Sequence, residues 1–155
     1  MLVTLMTDAS HCLKTNAGGF GFWCASNRGK LAGGRPLQGK IKDSYEAEMK
    51  GVANALSIAI KAQLILHGDK VLIQLDNIGV IHCIRRKCKA REDVKEVMDY
   101  IFKCKKDFSL DFECRHVKGH SNKVGSRFSA NKHCDRIAKE QMKIQRKYFL
   151  NLSEV

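Results

Sequence analysis

The sequence predicts one α/β domain, a mixed β-sheet covered by helices. Three observations carry this. The apolar segments follow the order β-β-β-α-β-α-α-β-α, strands first and then strands alternating with helices. The segment from Ser44 to about Leu66 repeats its apolar residues at helical spacing. No repeat, linker or low-complexity tract divides the 155 residues. That length suits a single domain over residues 1–155, with 148–155 expected as a C-terminal tail.

Each element has its own signal. Leu2 to Asp8 is short, apolar and β-rich, and ends on a carboxylate. Gly18 to Ser26 reads as a second strand, and Lys30 to Gly39 as a third, broken by Gly33-Gly34 and Pro36. The gaps between these strands are short enough for hairpins. In the long helix Ala47, Val52, Leu56, Ala59, Ile60 and Leu64 share the helical period, and His67-Gly68 is the expected stop. Lys70 to Asp76 is a buried-type strand, again ending on aspartate. Ile78 to Lys87 and Glu92 to Lys105 read as helices. Ser109 to Val117 alternates, with Leu110, Phe112 and Cys114 on one face, and Asn131 to about Lys147 is the last helix.

Composition narrows the function. Apolar residues make up 44% and charged residues 28%, so the chain is globular rather than disordered. No apolar run approaches the ~18 residues of a membrane span. The start, Met1 to Asp8, is too short and lacks the basic leader of a secretory signal. The net charge of +12 favours polyanionic partners, above all nucleic acid. The charge is uneven: a basic knot of Arg85, Arg86, Lys87, Lys89 and Arg91 sits mid-chain, and Arg115 to Lys147 is strongly basic. Seven cysteines, an odd number with no Cys-x-x-Cys pair, point to a reducing, cytoplasmic-type compartment. Cys114, His116 and His120 lack a convincing fourth ligand, so a zinc reading is not favoured.

Two strands ending in Asp8 and Asp76 are the first sign of a site, because open α/β sheets bind ligands at the carboxyl ends of their strands. Glu48 is the second. It shares a helix face with Val52, Ala55, Leu56 and Ala59, which must pack on the sheet, so a carboxylate there needs a reason. Glu46 points elsewhere and can pair with Lys50.

With these residues stand Thr7-Asp8-Ala9-Ser10, Gly18-Gly19-Phe20-Gly21, Ala47-Glu48, Leu75-Asp76-Asn77, Lys118-Gly119-His120 and Asn131-x-x-Cys134-Asp135. In that order and spacing, from residue 2 to about 142, they resemble the type 1 ribonuclease H pattern. The resemblance implies a five-stranded mixed sheet, its first three strands antiparallel, with helices on both faces. It also implies hydrolysis of the RNA strand of an RNA–DNA hybrid. Asp8, Glu48, Asp76 and Asp135 would be the catalytic carboxylates and the ligands of two Mg²⁺ ions, with Mn²⁺ as the alternative. Such an all-oxygen set suits Mg²⁺, and two ions can activate water and stabilise the leaving oxygen. His120 would assist proton transfer or product release. Hybrid contacts are expected from Ser10, Gly18, Gly19, Ser44, Asn77, Arg85, Arg86, Lys87, Lys118, Lys123, Arg127 and Asn131, in a monomer with no membrane association.

The chain departs from that family at several points. Ala9 stands where a glycine is usual, Asp43-Ser44-Tyr45 where Asn-type groove contacts are usual, and Ile78 where a glutamine often lies. The stretch from Asp76 to His120 is too short for an extra basic helix, and the loop from His120 to Asp135 reads as longer than usual. Two other readings share the fold: a nuclease acting on DNA, such as a junction resolvase or an integrase-like enzyme, and a non-catalytic nucleic-acid-binding module.

Overall fold

The first three strands are joined by short turns, so each folds back on its neighbour. They are β1 (Leu2–His11), β2 (Gly18–Ser26) and β3 (Gly29–Leu37), paired antiparallel in sequence order. Helix α1 (Ser44–Lys61) then carries the chain back to the start of the sheet, and β4 (Lys70–Leu75) runs parallel to β1. Helix α2 (Ile78–Ile84), a single 3-10 turn (Glu92–Val94) and α3 (Lys95–Asp107) lead to β5 (Asp111–His116), parallel to β4. Helix α4 (Ser126–Ser153) ends the chain. The sheet order is β3-β2-β1-β4-β5. This computed structural model describes residues 1–117 and 126–153, the latter with backbone only at 126–128 and 153.

The two faces of the sheet are covered differently. Val3, Leu5, Phe20, Phe22, Cys24, Val71, Ile73 and Leu75 point to one side, as their pairing registers require, and pack on Val52, Leu56 and Ala59 of α1. Val80, Ile84, Met98 and Ile101 of α2 and α3 extend the same core. At roughly 25 cal/mol per Å² of apolar area removed from water, this layer is the main source of stability. The opposite face receives α4, and glycine makes its close approach possible. A Cβ on Gly19 would lie 2.2 Å from the Met142 amide nitrogen, and one on Gly21 2.4 Å from the Cys134 carbonyl oxygen. One on Gly34 would lie 2.5 Å from Ile137. These glycines form a floor on which the helix backbone rests. Met6, Trp23, Ala130 and Cys134 fill the remainder.

Several boundaries differ from expectation. Strand β3 is unbroken through Gly33-Gly34 and Pro36. It is an edge strand, where a missing N–H is tolerated. Helix α1 stops at Lys61, short of His67-Gly68, because Gln63 adopts a left-handed φ of 62°. The chain there turns so that Leu64 and Ile65 bury, their amides donating to the Ala59 carbonyl. Helix α2 ends at Ile84, and Arg86 is again left-handed at φ 59°. Helix α4 begins at Ser126 instead of Asn131 and continues through Ser153, into residues read as a tail. No glycine or proline interrupts that stretch, so nothing stops the helix.

Candidate active site

The site lies where β1 and β4 part. Their parallel pairing ends at Met6 and Gln74, while β1 continues to His11 paired with β2 alone. The chain leaves β1 toward β2 on one side and β4 toward β5 on the other. A crevice at the carboxyl ends of the parallel strands is the expected result.

Four carboxylates reach this crevice from four elements. Asp8 lies on β1, two residues past its last β4 partner and opposite Gly21. Its side chain therefore points toward α4, across the glycine floor. Glu48 comes from the first turns of α1, on the inward face with Val52, Ala55, Leu56 and Ala59, all buried as the spacing predicts. Asp76 immediately follows β4, and Asp135 lies on α4 directly after buried Cys134.

Asp8 and Glu48 share a donor. The Ala9 amide donates to Asp8 Oδ1 at 2.9 Å and to Glu48 Oε1 at 3.2 Å. The other Glu48 oxygen, Oε2, is buried and finds no partner among the described residues. Burial pushes the Asp8 carboxyl up to about 6; its contact with Glu48 works the other way, and the charge of Asp135 adds to the rise. Glu48 is raised well above the usual carboxylate range, first by burial and then by the charge of Asp8, with Asp76 contributing.

Asp76 and Asp135 are held separately. His116 Nε2 lies 3.2 Å from Asp76 Oδ1, and Lys139 Nζ lies 3.0 Å from Asp135 Oδ2. With these two carboxylates drawn to basic partners, no group of three or more His, Cys, Asp or Glu side chains among the described residues stands in ligating geometry. The fit to a cation rests on other observations. A buried carboxylate oxygen without a donor is costly unless a proton or cation meets it. Glu48 Oε2 is such an oxygen, and the carboxylates whose charges act on Glu48, Asp8 and Asp76, offer oxygen ligands, the kind preferred by Mg²⁺.

The expected nucleic-acid contacts fare unevenly. Ser10 is half-buried on β1, and Ser44 is exposed at the start of α1. Gly18 and Gly19 are buried, under Ile41 and Leu37 and under α4, where they pack against these neighbours. Asn131 is also buried, at 8% exposure. Asn77 caps α2 by accepting from the Val80 amide. Arg85 donates to the Cys114 carbonyl at 2.6 Å, and the Arg86 guanidinium lies 3.9 Å over the Phe102 ring. Lys87 is exposed with Lys89 beside it. Lys118, His120 and Lys123 lie outside the described residues, as does the side chain of Arg127.

Sequence reasoning missed three contributors. The Ala9 amide carried no side-chain signal. Lys139 is one turn after Asp135, the ordinary i,i+4 spacing, and was visible in principle. His116 lies in the alternating segment Ser109 to Val117, which gives it no such role; its register partner is Leu75, which places it beside Asp76.

A sequence model of the RNase H family matches residues 2–143. The chain belongs to the RNase H family. As a member it is an enzyme that hydrolyses the RNA strand of RNA–DNA hybrids. No curated protein matches the sequence significantly. Solved structures match the fold. RNase H1 from the halophilic archaeon Halobacterium salinarum is 16% identical, with a TM-score of 0.71 over 92% of this chain and 98% of the other. The N-terminal RNase H domain of a Mycobacterium tuberculosis protein, solved as a fusion with maltose-binding protein, is 16% identical, with a TM-score of 0.73 over 95% and 97%. LC11-RNase H1 in complex with an RNA/DNA hybrid is 15% identical, with a TM-score of 0.68 over 91% and 96%. The sheet order and the antiparallel first three strands are those expected of the family.

Proposed function

We propose that Asp8, Glu48, Asp76 and Asp135 are the catalytic carboxylates of this ribonuclease H and would hold two divalent ions, Mg²⁺ first and Mn²⁺ as the alternative. The observation that carries this is the buried Glu48 Oε2, without a donor, beside a half-buried Asp8. Bound Mg²⁺ would supply an activated water and offset charge on the leaving oxygen. The chain's own part is to hold oxygen donors in place: the Ala9 amide fixes one oxygen of Asp8 and one of Glu48, and Glu48 Oε2 is left without a donor. Asp8 sits between Glu48 and Asp135 in the electrostatics of the site, which suits a ligand common to both ions. His120 would assist proton transfer or product release. The hybrid would lie over this crevice, its phosphates met by Lys87, Lys118, Lys123 and Arg127, with Ser44 offering a hydrogen bond to the groove.

No helix among the described residues is long and apolar enough to cross a membrane. All seven cysteines are free thiols, which supports a reducing compartment. We place the protein there as a monomer. A substrate panel tests the function: an RNA–DNA hybrid, duplex DNA, duplex RNA and a four-way junction, each with Mg²⁺. Cleavage confined to the RNA strand of the hybrid is expected, and Asp76→Asn should abolish it. Asp107→Asn, at the exposed end of α3 where it pairs with Lys103, should not. Comparable cutting of duplex DNA or the junction would favour a DNA nuclease instead.

A further inference from the structure

His116 closes β5 beside Asp76, since Leu75 and His116 are partners in the parallel register. Its Nε2 lies 3.0 Å from the Asp76 carbonyl oxygen and 3.2 Å from Asp76 Oδ1. Both partners only accept, so Nε2 carries the hydrogen and divides it between them. One donor thus grips the backbone and the side chain of the same residue. That fixes the direction in which the chain leaves β4 and the rotamer of the carboxylate together. No other hydrogen bond reaches this carboxylate among the described residues, and its side chain is 46% exposed. Without His116 it would be free to turn in solvent. With His116 only Oδ1 is engaged, and Oδ2 stays open.

We infer that His116 is a positioning residue for the cleavage reaction: it presets Asp76 for cation binding. The inference rests on Asp76 being a ligand, as proposed above. A group that holds a ligand by hydrogen bonding lowers the ordering needed when the ion arrives. The competing role is structural, a strand-end contact that ties β5 to β4. The two differ in what they affect. A structural contact governs the stability of the metal-free fold. A positioning contact governs the demand for metal and leaves hybrid binding alone.

The test uses His116→Ala, His116→Phe and His116→Gln in the full chain. Phe keeps the bulk and loses the donor; Gln restores an N–H at similar reach. Four quantities are measured: the Mg²⁺ concentration for half-maximal cleavage, KM for the hybrid, the metal-free Tm, and the rise in Tm on adding Mg²⁺. Ala and Phe should raise the half-maximal Mg²⁺ concentration about tenfold, the low end of the usual effect of losing a ligand's supporting partner. They should also shrink the Mg²⁺-induced rise in Tm, with metal-free Tm and KM near the parent's. Gln should recover much of the loss. Parent-like Mg²⁺ demand in both Ala and Phe overturns the inference, as does a lowered metal-free Tm that accounts for the loss, or a Gln variant no better than Phe. Asp76→Asn separates the two levels of the argument. If it cleaves at the parent rate, the ligand reading falls and takes this inference with it. If it is inactive while His116→Ala keeps parent-like Mg²⁺ demand, only the role of His116 is refuted.

Discussion

Arg91 grips Asp43 through two parallel hydrogen bonds, 2.6 and 3.0 Å long, while Asp43 caps the helix that carries Glu48. The cap accepts from the Glu46 amide, and Glu46 in turn accepts from the Lys42 amide and pairs with Lys50. Arg91 also binds Asp93 and lies over the Tyr45 ring. The loop after α2 is thereby tied to the start of α1. Asp43-Ser44-Tyr45 is a stretch at which the chain departs from the family pattern, and it is occupied by this clamp.

The clamp gives a first prediction. Asp43→Ala removes the cap and the ion pair and should lower stability by about 1–2 kcal/mol. Arg91→Ala keeps the cap but removes the ion pairs to Asp43 and Asp93 and the contact with the Tyr45 ring, and should cost about 1 kcal/mol, because Arg91 and Asp43 are both 36% exposed and solvent screens them. Arg91 holds the Asp43 carboxyl at about 2, below its usual range. A lowered folded pKa means the contribution is present above the unfolded value near 4 and is lost as pH falls through about 2. Urea melts at pH 7 and pH 3 should show the parent losing more than Arg91→Ala does on acidification. Equal losses would disconnect Asp43 from Arg91.

Glycine substitution separates packing from conformational freedom. Gly21→Ala would place a methyl 2.4 Å from the Cys134 carbonyl oxygen, which is backbone and cannot swing aside. Helix α4 must then lift, at roughly 1–3 kcal/mol or more. Because Asp135 follows Cys134 and Asp8 faces Gly21, cleavage should fall as well. Gly33→Ala meets only the Phe22 ring at 3.6 Å and should be tolerated in both Tm and cleavage. A neutral Gly21→Ala would show that α4 does not rest on the β2 backbone.

The contrast between these glycines shows what the sequence could convey. Apolar β-rich runs, alternation and helical spacing located the strands and α-helices of the described residues, because burial leaves a trace in the pattern of apolar residues. Glu48 was legible for the same reason: a carboxylate in an apolar stripe breaks the pattern. The glycines of β2 were visible, but a glycine that admits a ligand and one that admits a helix look alike until the helix is placed. Of the basic knot the charge was legible, and its partners within the fold were not. Arg85, Arg86 and Arg91 are engaged by Cys114, Phe102 and Asp43, partners 16 or more residues away in the chain. The backbone amide of Ala9 leaves no signal at all.

Those partners predict a division within the knot. Lys87→Ala and Lys89→Ala remove exposed charges. If they meet phosphates, each should reduce the slope of log K against log salt for hybrid binding by about 1, without lowering Tm. Arg85→Ala removes a hydrogen bond to the β5 backbone and should lower Tm by the loss of about 1 kcal/mol or more. Salt titrations beside thermal melts check both. An unchanged slope in the double lysine variant would move the footprint elsewhere.

The last prediction concerns Asp8→Asn in the absence of metal. Burial raises the Asp8 carboxyl to about 6, with the charge of Asp135 adding to the rise, and burial together with the charge of Asp8 raises Glu48. A folded pKa above the unfolded one makes the contribution most favourable below about 4, and it is lost as pH rises through about 6. Metal-free Tm should therefore decline between pH 4 and pH 7 in the parent. Asparagine keeps the shape and can still accept from the Ala9 amide, but carries no charge to repel Glu48 or Asp135. Asp8→Asn should raise the metal-free Tm at pH 7, by at most about 2–3 kcal/mol of stability, and flatten the decline. It should also abolish cleavage and shrink the Mg²⁺-induced rise in Tm, since a bound ion stabilises only the fold that holds it. Asp107→Asn, paired with Lys103 away from the crevice, should leave all four quantities unchanged. A lower metal-free Tm in Asp8→Asn would mean that Asp8 is favourably ionised in the fold, and the crowding of carboxylates around Asp8 would then not be the force that a cation relieves.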